Sequence, residues 1–372
     1  MQEDFHYYAT YCAAFLAGFS HEESLDICYS AQFVDLCSRT LLSKIGGPLN
    51  AATTQLQLEM MDARTDIIGL QDITRIWASF HFLPADLYAK KEKRTKRYMD
   101  RYRLICGPNG DLLVKTVEIA KGNGLQHIGI AMHVLADTWA HRYFAGTPSL
   151  VINNTDDHFY ELRDEWRKVK FRHNPSAPDD IENGLYSNSL FQSRENSIMN
   201  LGHGRAGHFP DYSFATYKYL PAWGEYQEII KDNPSDYKKA FSQMIYAMKY
   251  LKGSIDTFEK GRYEDSVFEK YGDRIDSILR KRQLNACSDW KAFGEELSGH
   301  EIEDFDIEKY QEEYQKAGKK EKDGTYIGGF IVAAKAQKAM VTGEIFKSGN
   351  RLAGLSKIIS KGKGILKLLK IK

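Results

Sequence analysis

Three side chains able to bind a metal recur at intervals of four in the stretch GIAMHVLADTWAHRYFAG: His133, Asp137 and His141. On an α-helix that spacing stacks them on one face, one turn apart. The stripe is roughly 12 Å long, so no single ion touches both ends. It can work as two pairs, His133 with Asp137 and Asp137 with His141. The central aspartate could then offer one oxygen to each of two ions. Between them stand Val134, Leu135, Ala136, Thr138, Trp139 and Ala140, an apolar set that buries the helix. An ionised aspartate buried there is costly unless a cation pairs with it. A hydrogen-bonded His-Asp-His core network is the plainer reading, but three such residues in register favour metal.

One helix supplies one side of a coordination shell, so other ligands must come from elsewhere. Among the eleven histidines, several sit in aromatic, apolar settings. His6 lies in DFHYYA and His81 in IWASFHFLPAD, while Asp35 interrupts the apolar run YSAQFVDLC. His203 and His208 fall in a Gly-rich stretch, with Asp211 just after Pro210. His127 is off the helix face by spacing. His21, His158, His173 and His300 stand among polar residues and read as surface.

In this order, His6, Asp35, His81, His133-xxx-Asp137, His141, then His203 or His208 with Asp211, the chain resembles the zinc-dependent phospholipase C and single-strand-specific nuclease superfamily. The segments FHYYATYCAAFLAGFS, YSAQFVD, FHFLP and HVLADTWAHRYFAG also resemble an uncharacterised bacterial domain family similar to that group. The resemblance spans residues 1 to about 225. It implies an all-helical enzyme with two or three Zn²⁺ in a cleft (other divalent metals being possible), held by His6, Asp35, His81, His133, Asp137, His141, His203, His208 and Asp211. It implies a metal-activated water attacking a phosphodiester of lipid or nucleotide, oriented by Asp35 or Asp137. Phe80, Phe82, Tyr143 and Phe144 would receive the substrate's base or acyl group. Two departures stand out. The secreted enzymes of the superfamily begin their mature chain with a Trp whose amine ligates zinc, whereas this chain starts at Met1 and shows no export signal, and the familiar downstream His-xxx-Glu or His-xxx-Asp pair is missing. Asp66, fifteen residues before His81, competes with Asp35, whose setting is more apolar.

Two alternatives belong to other classes. An HD-type nucleotide phosphohydrolase would carry an adjacent His-Asp pair, which this chain lacks. A non-catalytic helical interaction module would close its metal shell entirely with protein ligands.

The elements that must position these residues read as helices almost throughout. SHEESLDICYSAQFVDLC opens on Ser20 with Glu23 three residues on, a capping box, and continues with a helical period. Residues 86 to 103 are densely charged and read as a solvated helix face. CGPNGD is a turn. Residues 147 to 223 read as loop-rich, and no Asn-Gly hairpin signal appears between alternating strands. The expected fold is all-α: a multi-helix bundle with a metal-binding cleft and a basic C-terminal appendage. Three units are expected: 1–255, the metal-binding catalytic-like domain; 256–323, a helical extension; and 324–372, a basic amphipathic tail.

Composition sets outer bounds. The 372 residues carry a net charge of +1 with 42% apolar residues, which makes no strong case for duplex nucleic acid as a partner. Five scattered cysteines without a CxxC pair fit reduced thiols. The first residues show no basic export leader, and no apolar run reaches about 18 residues, so a cytoplasmic location is expected. Residues 335–372 hold ten Lys or Arg against one Glu, interleaved with Ile358, Ile359, Ile365, Leu366, Leu368, Leu369 and Ile371. Such a segment can lie on an anionic membrane or on an acidic face of the protein itself.

Overall fold

The computed structural model describes residues 1–63, 67–155, 158–173, 178–189, 198–225 and 227–354. Asp66 and residues 355–372 of the basic tail therefore lie outside the described residues.

The chain opens with a π-helical turn, Asp4–Ala9, that runs into α1 (Thr10–Leu16). There follow α2 (His21–Phe33), α3 (Arg39–Ile45), α4 (Gln57–Ala63), α5 (Ile67–Phe80), α6 (Lys96–Tyr102), α7 (Asp111–Glu118), α8 (Leu125–Ala140) and α9 (Leu150–Asn153). Short strands fill the next region: β1 (Tyr160–Leu162), β2 (Trp166–Lys168), β3 (Phe171–Arg172), β4 (Tyr186–Ser187), β5 (Thr216–Tyr219) and β6 (Ile229–Asp232). The chain returns to helix with α10 (Asn233–Lys252), α11 (Val267–Arg280), α12 (Cys287–Ser298), α13 (Gln311–Lys316) and α14 (Tyr326–Lys347).

The all-α expectation is corrected: the fold is mixed α/β. The strands β2-β1-β5-β6 form an antiparallel sheet, and β3 pairs with β4 in parallel. The reason lies in strand length. Each strand has two to four residues, too few to display an alternating pattern. The β1–β2 turn, Arg163-Asp164-Glu165, contains neither Gly nor Asn. The sheet's central pairing sets Tyr160 opposite Lys218, a contact far apart in sequence.

Helix α8 is the axis of the helical part. Every residue from Ile128 to Ala140 is buried, so it is covered on all sides. It packs on α2, α10, α14, α7 and α5. The α2 contact is close because Gly129 lacks a side chain: a Cβ there would stand 2.4 Å from the Ile27 carbonyl oxygen and 2.5 Å from Ser30 Cβ. The capping box on α2 is present, with the Glu23 N–H donating to Ser20 Oγ and the Ser20 N–H to Glu23 Oε2.

The later helices brace the site from outside. The His6 turn packs on α12, where Phe5 meets Trp290 edge to face and Asp4 Oδ2 accepts the Ala286 N–H at 2.9 Å. Helix α14, inside the stretch expected to be a tail, packs on α5, α8 and α7. Its Gln337 Nε2 donates to the Ser79 carbonyl at the end of α5, and its Lys338 Nζ to the Ala52 carbonyl, both at 3.0 Å. No helix among the described residues is long and apolar enough to cross a membrane.

Gly129→Val forces α2 away from α8. Its expected cost is about 1–3 kcal/mol, the usual overpacking penalty, read as a lower urea midpoint with unchanged m-value.

Candidate metal centre

The ends of three helices meet at one place. Asp35 follows α2, His81 follows α5, and His141 caps α8. A helix C-terminus presents unpaired carbonyls and the negative end of its dipole, which favours cations. The chain uses those carbonyls and others in loops to fix its imidazoles. His133 Nδ1 lies 2.8 Å from the Ala31 oxygen in the last turn of α2, and His141 Nδ1 lies 2.8 Å from the His81 oxygen. His81 Nε2 stands 3.0 Å from the Thr53 oxygen, and His203 Nδ1 2.8 Å from the Gly207 oxygen. A carbonyl can only accept, so in each ring that nitrogen carries the proton. The opposite nitrogen is then a bare lone pair in the neutral imidazole.

Those bare nitrogens face one another and face carboxylates. His81 Nδ1 and His133 Nε2 stand 3.3 Å apart, and with both rings neutral no hydrogen lies between them. Asp137 lies at the centre. Its Oδ2 is 3.2 Å from His133 Nε2 and 3.3 Å from His81 Nδ1, and 3.5 Å from the proton-bearing Nδ1 of His141. Its Oδ1 is 3.2 Å from His6 Nε2. Asp35 closes one side, with Oδ1 at 3.7 Å from His81 and 3.9 Å from His133, and Oδ2 at 3.9 Å from His6. On the other side, Asp211 Oδ1 is 3.1 Å from His141 Nε2, and Oδ2 is 3.6 Å from His203 Nε2.

His6 is the clearest case. Its ring is fully buried and stacks on His133 at 3.8 Å, yet neither ring nitrogen has a hydrogen-bond partner. An orphaned buried imidazole is costly unless something absent from the protein itself satisfies it. The π-helical turn at Asp4–Ala9 widens the backbone where His6 projects, a distortion common at functional sites.

Burial pushes His6, His133 and His203 down to about 4, so they are neutral at pH 7, as metal binding requires. Burial alone would push Asp137 and Asp211 up. Around Asp137 the His141 ring, the Met1 ammonium, His133 and His6 outweigh it; around Asp211 His203, the same ammonium, His141 and His208 do. Both carboxyls are held well below their usual range. Burial pushes Asp35 up, partly offset by His6 and His81.

In this chain the Met1 α-amine sits inside the cluster, 2.9 Å from Asp137 Oδ1, 3.2 Å from Asp211 Oδ1 and 3.2 Å from His141 Nε2. Burial works against its charge, but Asp137, Asp211 and Asp35 outweigh burial and hold it up at about 11. A cation is thus favourable between these carboxylates.

The donor set fits divalent metal. With Zn–N and Zn–O bonds near 2.0–2.1 Å, two donors on one tetrahedral ion stand about 3.3 Å apart. The donor spacings of 3.1 to 3.9 Å bracket that value. Three groups could each hold an ion: His6, His133 and Asp137; Asp35, His81 and His133; and His141, His203 and Asp211. His133 belongs to two groups, but its free nitrogen has one lone pair and can serve one ion. Filling both groups would need Asp35 and Asp137 to bridge, one oxygen to each side.

Of the nine residues singled out from sequence, eight fall in these groups. His208 does not. Its side chain is 61% exposed and reaches only Asp211, at 3.5 Å. Phe80, Phe82 and Phe144, expected to face substrate, are buried in the core, with Phe82 stacked on His141 at 4.8 Å. Sequence reading missed the groups that hold the loops in place. Asn233 Nδ2 donates to the Phe209 and Tyr212 carbonyls, both at 2.7 Å, on either side of Asp211. The buried Lys231 Nζ donates to the Trp139 carbonyl at 2.8 Å and pairs with Asp236, which also holds Arg142. Asn153 ties Ala145, Thr147 and Asn200 together.

Asp137→Asn is expected to remove more bound metal than any other single change, because its two oxygens touch both sides of the cluster. His208→Ala is expected to leave metal content unchanged. Elemental analysis of the two purified variants checks the ranking.

No curated protein and no solved structure matches the chain. A family model does: "Family of unknown function (DUF6765)" matches residues 1–345, and this chain belongs to that family.

Proposed function

We propose that this protein is a metal-dependent hydrolase of phosphoric esters, acting on a phosphodiester and similar in its chemistry to the zinc-dependent phospholipase C and nuclease superfamily. The observation that carries the reading is the convergence of bare imidazole nitrogens and carboxylate oxygens, each nitrogen aimed by a backbone carbonyl on its far side. His6, Asp35, His81, His133, Asp137, His141, His203 and Asp211 would hold two or three Zn²⁺. Bound ions of this kind supply a water acidic enough to ionise near neutral pH and positive charge for phosphoryl oxygens.

The protein's own groups divide the remaining work by exposure. Asp137 is 1% exposed and Asp211 9%, so both are ligands shut off from bulk water. The Asp35 side chain is 27% exposed, at the edge of the cluster. Burial raises its proton affinity, which suits a carboxylate that takes a proton from an attacking water. The neighbouring walls, Phe82 and Trp77 against the histidines, keep the donors dry and strengthen their pull on a charged group.

One observation favours a second reading, a metal-stabilised module without catalysis: His6 and His133 are fully buried. The two readings part in one experiment. With zinc restored, the enzyme is expected to hydrolyse bis(p-nitrophenyl) phosphate, and Asp35→Asn, which removes a metal donor as well as the proton acceptor, to lower kcat by about 10²- to 10⁴-fold per metal-loaded chain. Phosphatidylcholine and single-stranded DNA, assayed in parallel, assign the organic part of the substrate. Stoichiometric metal with no turnover of any of the three would reject the hydrolase and leave the module.

A further inference from the structure

A second constellation stands apart from the metal donors. Two adjoining cavities, of about 350 and 290 Å³, share Arg101 and Pro148 in their linings. Arg97 lines the first and Arg351 the second, so three arginines border the two adjoining cavities. Neither lining contains a carboxylate. None of these arginines has an ion pair among the described residues. Asp100, the acid on the same helix, is engaged by Lys96 at 3.0 Å. Burial and the neighbouring Arg97 both disfavour the Arg101 charge, and Asp100 offsets them only in part. The sequence that follows adds no counter-charge, since residues 355 to 372 carry six lysines and no acid.

Arg101 Nη1 donates to the Arg97 carbonyl at 2.9 Å, which fixes its guanidinium beside the cavities without neutralising it. Arginines that line cavities without a carboxylate favour a ligand that carries negative charge. The groove also has apolar walls, Leu150 and Val151 in one cavity and Ile67, Leu70 and Leu352 in the other. Ile67 is 74% and Val151 47% exposed, so apolar surface lies open beside the charge.

We propose that this groove binds a phosphate group carried on an apolar chain, the phosphate lying between Arg97, Arg101 and Arg351 and the chain along the apolar walls. A carboxylate would satisfy one guanidinium, whereas a phosphate has oxygens for three. Thr74, in the second cavity, sits on α5 seven residues before His81, hence on the same face and about 10 Å from it. The groove therefore neighbours the metal centre but shares no residue with it, and the proposal does not rest on the hydrolase reading.

The test is calorimetric titration of the full chain with monomeric dihexanoyl phosphatidic acid, with inorganic phosphate, and with phosphatidylcholine vesicles containing phosphatidic acid. Metal content is measured in every sample. The monomeric amphiphile is expected to bind more tightly than inorganic phosphate. Arg97→Gln with Arg101→Gln is expected to weaken it about tenfold or more, with metal content unchanged. Arg351→Gln, an exposed change on a separate segment, gives the same direction where the double variant folds poorly. Three results would overturn the groove: no binding by the native chain, binding that the arginine changes leave intact, or binding lost on stripping metal with the arginines in place. Attachment to vesicles alone, insensitive to the arginines, would overturn it as well and assign lipid contact to another surface.

Discussion

Four imidazoles in this protein each have one ring nitrogen held by a backbone carbonyl, and the rest of the site follows from that constraint. The carbonyls of Ala31, Thr53, His81 and Gly207 decide which nitrogen of His133, His81, His141 and His203 is protonated. The remaining nitrogens then meet each other and Asp35, Asp137 and Asp211 as lone pairs without hydrogens. Such an arrangement repels itself in a dry interior. The Met1 ammonium relieves part of the repulsion on the Asp211 side. On the Asp35 side, neither nitrogen of His6 makes a hydrogen bond, although Nε2 lies 3.2 Å from Asp137 Oδ1, and a divalent ion is the species whose charge and bond lengths fit.

The fold serves this constraint at some distance from it. Gly129 lets α8 approach α2 closely enough for His133 to reach the Ala31 carbonyl. The α12 helix fixes the turn that bears His6, and α14 holds the end of α5 beside His81. The small sheet has the same role for the last candidate ligand, Asp211. Strand β6 delivers Lys231 to the end of α8 and leads into α10, whose Asn233 holds the loop of Asp211. Helices and strands that carry no ligand are thus part of the site's rigidity, which a cluster of like lone pairs needs.

The i, i+4, i+8 stripe was legible because it is local: helical geometry alone puts His133, Asp137 and His141 on one face. His6, His81 and Asp35 were legible more weakly, as polar residues in apolar surroundings. The sheet was not, because strands of two to four residues carry no readable period and β1 finds β5 only through tertiary pairing. The carbonyls were invisible for a different reason: main-chain groups leave no mark in residue type. His208 has the right spacing from Asp211, but its side chain is 61% exposed and falls outside the three donor groups. The charged segment 86–103 read as a solvated face, and its excess of arginine near Pro148 becomes visible only when α6 is packed against the 147–151 segment.

Metal content of the purified native chain, followed by zinc titration after chelation, tests the account most directly. Three donor groups, two of which share His133, predict at least two ions per chain, released by chelator and restored by zinc, with stability rising as they bind. A well-folded chain that carries no metal and takes up none would contradict it.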